Sequence, residues 1–263
     1  MIKQQVIVSL TSFPAAIPFA VQAIQSVLDG SVLPCKIALY FTASQFPEKE
    51  IPAELAALVE KNEIVELRFY EENIRSYTKL IPALRDFPND IIVTIDDDIL
   101  YHKNMLKGLL DTHAKYPDAI IGHRIKRIES NRKGVKPYST WKAYKRHRYL
   151  LRSLKPNFRN LLTGVGGVLY PPHSLAEEML ASGLFMQIAP TVDDIWFTAA
   201  AIAKGTKIAP VPFGIFHPFE IGKPNAISLQ ATNISSGVDV NATVFKTILE
   251  KYPVIKQRFD DKW

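Results

Sequence analysis

The sequence predicts an α/β fold with a mixed, mainly parallel central sheet flanked by helices. Two observations carry this. Four strand-length apolar runs recur along the first half, Gln5 to Leu10, Lys36 to Phe41, Ile64 to Tyr70 and Ile91 to Ile95, and a helix-like pattern separates each from the next. The intervening segments, Phe19 to Leu28, Pro52 to Glu60 and Ser76 to Leu84, have amphipathic spacing, and Pro52 stands where a proline suits a first helical turn. Strand–helix–strand units at this spacing cross over right-handed and place parallel strands side by side. A chain of 263 residues, 47% hydrophobic and 22% charged, is long enough to bury the resulting core as one domain.

The second half continues the pattern less regularly. His102 to Tyr116 reads as a helix and Ala119 to Gly122 as a short strand. Residues 123–160 break the pattern, with Tyr138, Trp141, Tyr144, Tyr149 and Phe158 interleaved among Lys and Arg. Leu161 to Tyr170 is apolar and contains Gly164, Gly166 and Gly167; it ends at Pro171-Pro172. Ser174 to Ser182 and Asp193 to Ala203 read as helices, Lys207 to Val211 as a strand, 222–237 as a loop rich in Asn, Ser and Gly, and Ala242 to Lys251 as a final helix carrying a tail.

Composition narrows the function classes. The single cysteine, Cys35, excludes an intrachain disulfide and a Cys-rich zinc site, and suits a reducing compartment. No run approaches the roughly 18 apolar residues of a membrane span, and the first strand is too short for a signal-peptide core. The expectation is a cytoplasmic protein, or one peripheral to the inner face of the cell membrane. The formal charge of +6 is uneven: from Arg124 to Arg159 there are thirteen Lys or Arg and one acid, Glu129. Such a block is either a solvated face or an attraction for phosphates and other anions. Trp196, between Ile195 and Phe197, reads as core; Trp141, in the basic segment, is the aromatic better suited to stacking on a ligand.

The chemistry concentrates in Asp96-Asp97-Asp98, directly after Ile91 to Ile95. Adjacent carboxylates are costly unless a positive charge compensates them. Alternation along an extended chain directs Asp96 and Asp98 to one face and Asp97 to the other. Two carboxylates at the C-terminal edge of a parallel sheet suit a hard divalent cation, Mn2+ or Mg2+, shared with substrate phosphates. Nucleases, phosphatases, a helix cap or a solvated turn present the same triplet. Asp193 and Asp194, after Pro190-Thr191-Val192, suit capping of the helix that follows. Lys79 and Arg75 precede the acidic strand, and Thr11 and Ser12 follow the first one, where hydroxyls serve a base or ribose. The glycines at 164, 166 and 167 have the wrong spacing for a dinucleotide fingerprint.

Taken in order, these parts resemble nucleotide-sugar-dependent glycosyltransferases of the GT-A fold, particularly bacterial members acting on cell-surface glycans. Val8 to Pro14 is similar to the opening strand and nucleotide-facing loop, Ile91 to Asp98 to the strand ending in the DxD motif, and Leu162 to Tyr170 to the glycine-bearing segment before an acceptor-side acidic motif at Asp193-Asp194. The resemblance implies one GT-A-like (Rossmann-like) catalytic domain over 1–263. Residues 1–122 would form the nucleotide-sugar half, 123–160 a basic and aromatic insertion, 161–240 the acceptor half and 241–263 a C-terminal helix and tail. It implies Asp98 and Asp96 as metal ligands with His217 as a third, and Thr11, Ser12, Lys79, Asp96 and Asp97 on the donor, a UDP-sugar by preference. Asp194, ahead of Asp193, would be the general base of an inverting transfer to a glycan or lipid-linked glycan. A nucleotidyl or phosphoryl transferase uses a similar acidic site. A binding module for nucleic acid or anionic surfaces would use the basic block, although no recognised nucleic-acid motif accompanies it.

Overall fold

A computed structural model describes residues 4–131, 134–143, 154–212, 219–221 and 239–260. In chain order the elements are β1 (Val6–Thr11), α1 (Ile17–Leu28), β2 (Lys36–Thr42), α2 (Ala53–Lys61), β3 (Val65–Tyr70), α3 (Ile81–Asp86), β4 (Ile91–Thr94), β5 (Ile99–Leu100) and α4 (Met105–His113). There follow β6 (Ile120–Gly122), β7 (Ile125–Arg127), β8 (Ser130–Asn131), β9 (Gly134–Val135), β10 (Asn160–Leu162), β11 (Val168–Tyr170), α5 (Ser182–Ile188), α6 (Asp193–Lys204), β12 (Ile208–Pro210) and β13 (Phe219–Glu220). Two helices, α7 (Val240–Lys251) and α8 (Pro253–Asp260), end the described chain.

Among the described residues the main sheet has seven strands in the order β12-β6-β11-β4-β1-β2-β3. All neighbours are parallel except β11, which runs against both β4 and β6. The expected mixed, mainly parallel sheet with helices on both faces is the observed one. Side-chain alternation builds a core on each face. Ile7, Ala38, Tyr40, Ile92, Ile120, Val168 and Ile208 join α3 and α5 to α8 on one side. Val8, Leu10, Ile37, Leu39, Val93, Ile121 and Leu169 join α1, α2 and α4 on the other. Since β1 and β4 run parallel, Thr11 and the acidic run after β4 emerge at one sheet edge.

Four sequence expectations are corrected. The helix expected from Ser76 to Leu84 divides into a 3-10 turn, Arg75–Lys79, and α3. Pro82, in the first turn of α3, has no N–H to donate back to the preceding turn, so it suits a helix start but not a helix interior, and the chain breaks at Leu80 (φ −121°, ψ −47°) before α3 begins. The helix expected over Ser174 to Ser182 is only a 3-10 turn, Glu177–Met179, with α5 beginning at Ser182. Contacts with α6 hold that stretch extended: Ala176 N donates to Ala200 O at 3.1 Å, and Trp196 Nε1 to Met179 O at 2.8 Å. The expected tail contains α8. Its Arg258 Nη1 donates to Ile202 O at 2.6 Å, satisfying a carbonyl at the α6 C-terminus.

Trp141, expected to stack on a ligand, is instead 3% exposed. Its Nε1 donates to Lys136 O at 2.9 Å, and its ring packs edge-on against Phe245 of α7. Trp196 is core, as expected, at 0% exposure. No helix among the described residues is long and apolar enough to cross a membrane.

Candidate active site

The apolar strand β4 ends at Thr94, and Ile95 N still donates to Ser9 O of β1 at 3.0 Å. Beyond it the acidic run leaves the sheet in a turn. Asp96 N donates to the hydroxyl of buried Tyr101 at 2.8 Å, closing the turn on itself. The three carboxylates then part. Asp97 is buried and accepts the Ser12 hydroxyl at 2.6 Å, tying the loop after β1 to the turn. Asp98 is half-buried, and its carbonyl accepts Ile221 N at 2.8 Å where β13 pairs with β5. Asp96 meets Lys79: Nζ to Oδ1 is 2.9 Å. Thr11 donates its hydroxyl to Tyr40 O at 2.9 Å.

Lys79 connects the acidic turn to the start of α6. Its backbone is fixed by Ser9, whose hydroxyl donates to Lys79 O at 2.6 Å. Besides Asp96, its ammonium lies 3.1 Å from Asp193 Oδ2. Burial alone would push Lys79 down, but Asp193, Asp96 and Asp194 together hold its pKa well above the ordinary lysine value. The lysine expected at a diphosphate is thus engaged by carboxylates of the protein itself.

Neither Asp193 nor Asp194 makes the capping hydrogen bond expected of it. Val192 is the N-cap of α6, without a side-chain cap, and both acids stand in the first turn, where the helix dipole favours negative charge. Asp193 is directed to Lys79. Asp194 Oδ1 accepts Gly164 N at 3.0 Å. Burial first, then the charge of Asp193, push Asp194 up to about 7; Lys79 and the Gly164 N–H pull against this, and Asp96 adds to it. A carboxyl in this state exchanges its proton near neutral pH, as a general base requires.

The glycine segment supplies the third wall. Gly166 (φ +102°) and Gly167 (φ +94°) adopt left-handed backbone that turns β10 back into β11. Gly164 allows close approach: a Cβ there would lie 3.1 Å from Lys79 Nζ and 3.3 Å from both Asp96 carboxylate oxygens. Gly164→Ala is expected to cost about 1 kcal/mol in stability, measured by urea unfolding. Displacement of Lys79 and Asp96 by tenths of an ångström should cost turnover about tenfold. A larger effect follows from Lys79→Met, which leaves three carboxylates without their cation. Urea unfolding at pH 7 should show a loss of about 3–5 kcal/mol. The deficit should shrink at pH 5, where Asp194 carries its proton.

The donor set fits a hard divalent cation only in part. Asp96 and Asp98 supply carboxylate oxygens, but among the described residues no three His, Cys, Asp or Glu form a cluster able to hold a metal. Such a set suits Mn2+ or Mg2+ bound by one or two carboxylates and completed by substrate phosphates. His217, expected as a third ligand, lies outside the described residues. Sequence reasoning missed Ser9 and Tyr101, whose hydroxyls fix Lys79 and Asp96. Only their pairing across the fold reveals them.

Comparison with known proteins accords with this arrangement. A sequence search of curated proteins finds no match. In fold, the chain is similar to PcManGT, a mannosyltransferase from Pyrobaculum calidifontis solved in complex with GDP-Man and Mn2+. The TM-score is 0.59 at 13% identity, over 97% of this chain and 69% of that one, a likeness of fold. The model of glycosyl transferase family 2 matches residues 17–169, from α1 through the acidic turn to β11. That is more than half of the chain, and the protein belongs to this glycosyltransferase family.

Proposed function

We propose that this enzyme transfers a glycosyl group from a nucleoside diphosphate sugar to an acceptor hydroxyl, with inversion at the anomeric carbon and with Mn2+ or Mg2+ at the diphosphate. The observation that carries the reading is the Lys79 bridge. It joins Asp96 of the acidic turn to Asp193 of α6, beside an Asp194 whose pKa of about 7 suits proton transfer at neutral pH.

Asp194 accepts the proton of the acceptor hydroxyl as that oxygen bonds to the anomeric carbon. The bond from that carbon to the diphosphate breaks, and the nucleoside diphosphate departs with the electron pair. Asp98 and Asp96, with His217, are the residues that would hold the cation, which when bound neutralises charge on the diphosphate. Thr11, Ser12 and Asp97 are assigned to the donor side, where Ser12 keeps Asp97 in place. Lys79 fixes Asp96 and Asp193 in relation to one another. Support for the donor class comes from family membership and from PcManGT, which holds GDP-Man and Mn2+. A cell-surface or lipid-linked glycan as acceptor, and a location at the cytoplasmic face of a membrane, complete the proposal.

The test is nucleotide release from UDP- and GDP-sugars, with a CMP-sugar as the nucleoside monophosphate control, in Mn2+, Mg2+ or EDTA. One nucleoside diphosphate sugar should be turned over, and EDTA should stop it. Turnover unchanged by EDTA would remove the metal from the mechanism. Formation of a phosphate ester in place of a glycosidic bond would instead indicate a phosphoryl or nucleotidyl transferase.

A further inference from the structure

β7 follows β6 at the sheet edge that carries the acidic turn and pairs with β10. Ile125 enters the core at 1% exposure, so alternation turns its neighbours Arg124 and Lys126 to the opposite face. Both are half-buried. Lys126 Nζ lies 3.9 Å from the centre of the Tyr138 ring. The carbonyl of Arg124 accepts both Thr163 N at 3.3 Å and Thr163 Oγ1 at 2.7 Å. The next residue, Gly164, is the one whose N–H holds Asp194. The two cations therefore stand beside the proposed base, on the side of the glycine segment.

Lys126 has the Tyr138 ring beside it, but the charge of neither cation meets a carboxylate among the described residues. Three other cations held partly or wholly out of solvent do meet carboxylates: half-buried Lys36 meets Glu66, half-buried Arg68 meets Glu66 and Asp86, and buried Lys79 meets Asp96 and Asp193. Among the described residues no carboxylate lies within ion-pair distance of Arg124 or Lys126. Burial first, and then the charge of Arg124, push the Lys126 ammonium down; the charges of Asp194 and Asp239 act against this. Asp239 is already committed, with Oδ1 to Ala242 N at 3.0 Å and Oδ2 to Tyr138 N at 2.9 Å. Two like charges held together, partly out of water, are costly until an anion joins them.

We propose that Arg124 and Lys126 form an acceptor subsite for an anionic group, a phosphate or carboxylate carried close to the hydroxyl that Asp194 deprotonates. The proposal rests on the reading of Asp194 as base and adds the acceptor's charge to it. The donor diphosphate has the same chemistry. The pair, however, is joined through Thr163 to the glycine segment that holds Asp194, whereas the proposed cation ligand Asp98 lies on the turn beyond β4.

The experiment is calorimetric titration with glucose 1-phosphate, glucuronate and neutral methyl β-glucoside. The donor site is first filled with UDP or GDP and Mn2+. The wild type should bind the two anionic sugars at least about tenfold more tightly than the neutral one. Arg124→Gln/Lys126→Gln should lose that preference while nucleotide affinity stays unchanged. Lys126→Met, which keeps an unbranched apolar side chain of similar length but removes the ammonium, should lose part of it and serves if the double variant is unstable. A preference for glucose 1-phosphate alone identifies a phosphate and a preference for glucuronate alone a carboxylate; either supports the subsite. No charge preference in the wild type, or one that survives in the variants, overturns it. A fall in nucleotide affinity places the pair on the donor and also overturns it. Nucleoside diphosphate release reads the glycosyl-transfer proposal separately. Intact release without charge preference removes only the subsite, and charge preference without release removes only the transfer reaction.

Discussion

Asp98→Asn is expected to lower glycosyl transfer by about a thousandfold and to make the residual rate insensitive to Mn2+ and EDTA. Metal stabilisation of a departing phosphate is worth several kcal/mol, and each 1.4 kcal/mol is a factor of ten. Asparagine retains the size of the side chain and its carbonyl oxygen but removes the charge that attracts a hard cation. Asp98 is half-buried, and asparagine is nearly its isostere, so the variant should still fold and melt cooperatively. Nucleoside diphosphate release against metal concentration, with melting followed in parallel, makes the measurement. Asp97→Asn provides the contrast. Its carboxylate is buried against the Ser12 hydroxyl, so that substitution should affect stability more than metal dependence. If Asp97→Asn abolished the metal response and Asp98→Asn did not, the ligand would be misassigned within the triplet.

The sheet was legible because its strands are buried on both faces and read as near-continuous apolar runs, as in Ile37 to Phe41 and, with Thr94 as the one polar residue, Ile91 to Ile95. The helices lost in reading were those whose signals are local exceptions. α5 carries Gly183 inside it, α8 begins at Pro253, and Pro82 divides the segment around Lys79. The acidic positions were legible as well, since Asp96 to Asp98 and Asp193-Asp194 are costly clusters in apolar surroundings. The connection between them was not. Residues 79, 96 and 193 meet only once the fold is made, and no spacing encodes that meeting. Trp141 was misread for the same reason. Its neighbours in sequence are basic, but its partner Phe245 arrives from α7.

Asp194→Asn should lower turnover by about 10²–10⁴-fold, the usual contribution of a positioned base. The pH dependence distinguishes this loss from a general disturbance. In the wild type, kcat/KM should rise through about pH 7 and level off above it, because the base acts when ionised. In the variant that rise should disappear. Stability runs the other way. The native carboxyl keeps its proton up to about 7, whereas the unfolded chain releases it near 3.8. The native state therefore binds more protons between those values, and its stability falls as pH rises across the window. Asp194→Asn should accordingly melt at or above the wild type at pH 8, with the difference closing towards pH 4. Asp193→Asn separates the two acids. It removes the negative charge that, after burial, does most to hold Asp194 up, so the rise in kcat/KM should persist but move to lower pH. It also deprives Lys79 of an ion-pair partner and should cost stability. If the rise vanished in Asp193→Asn and survived in Asp194→Asn, the base would be Asp193.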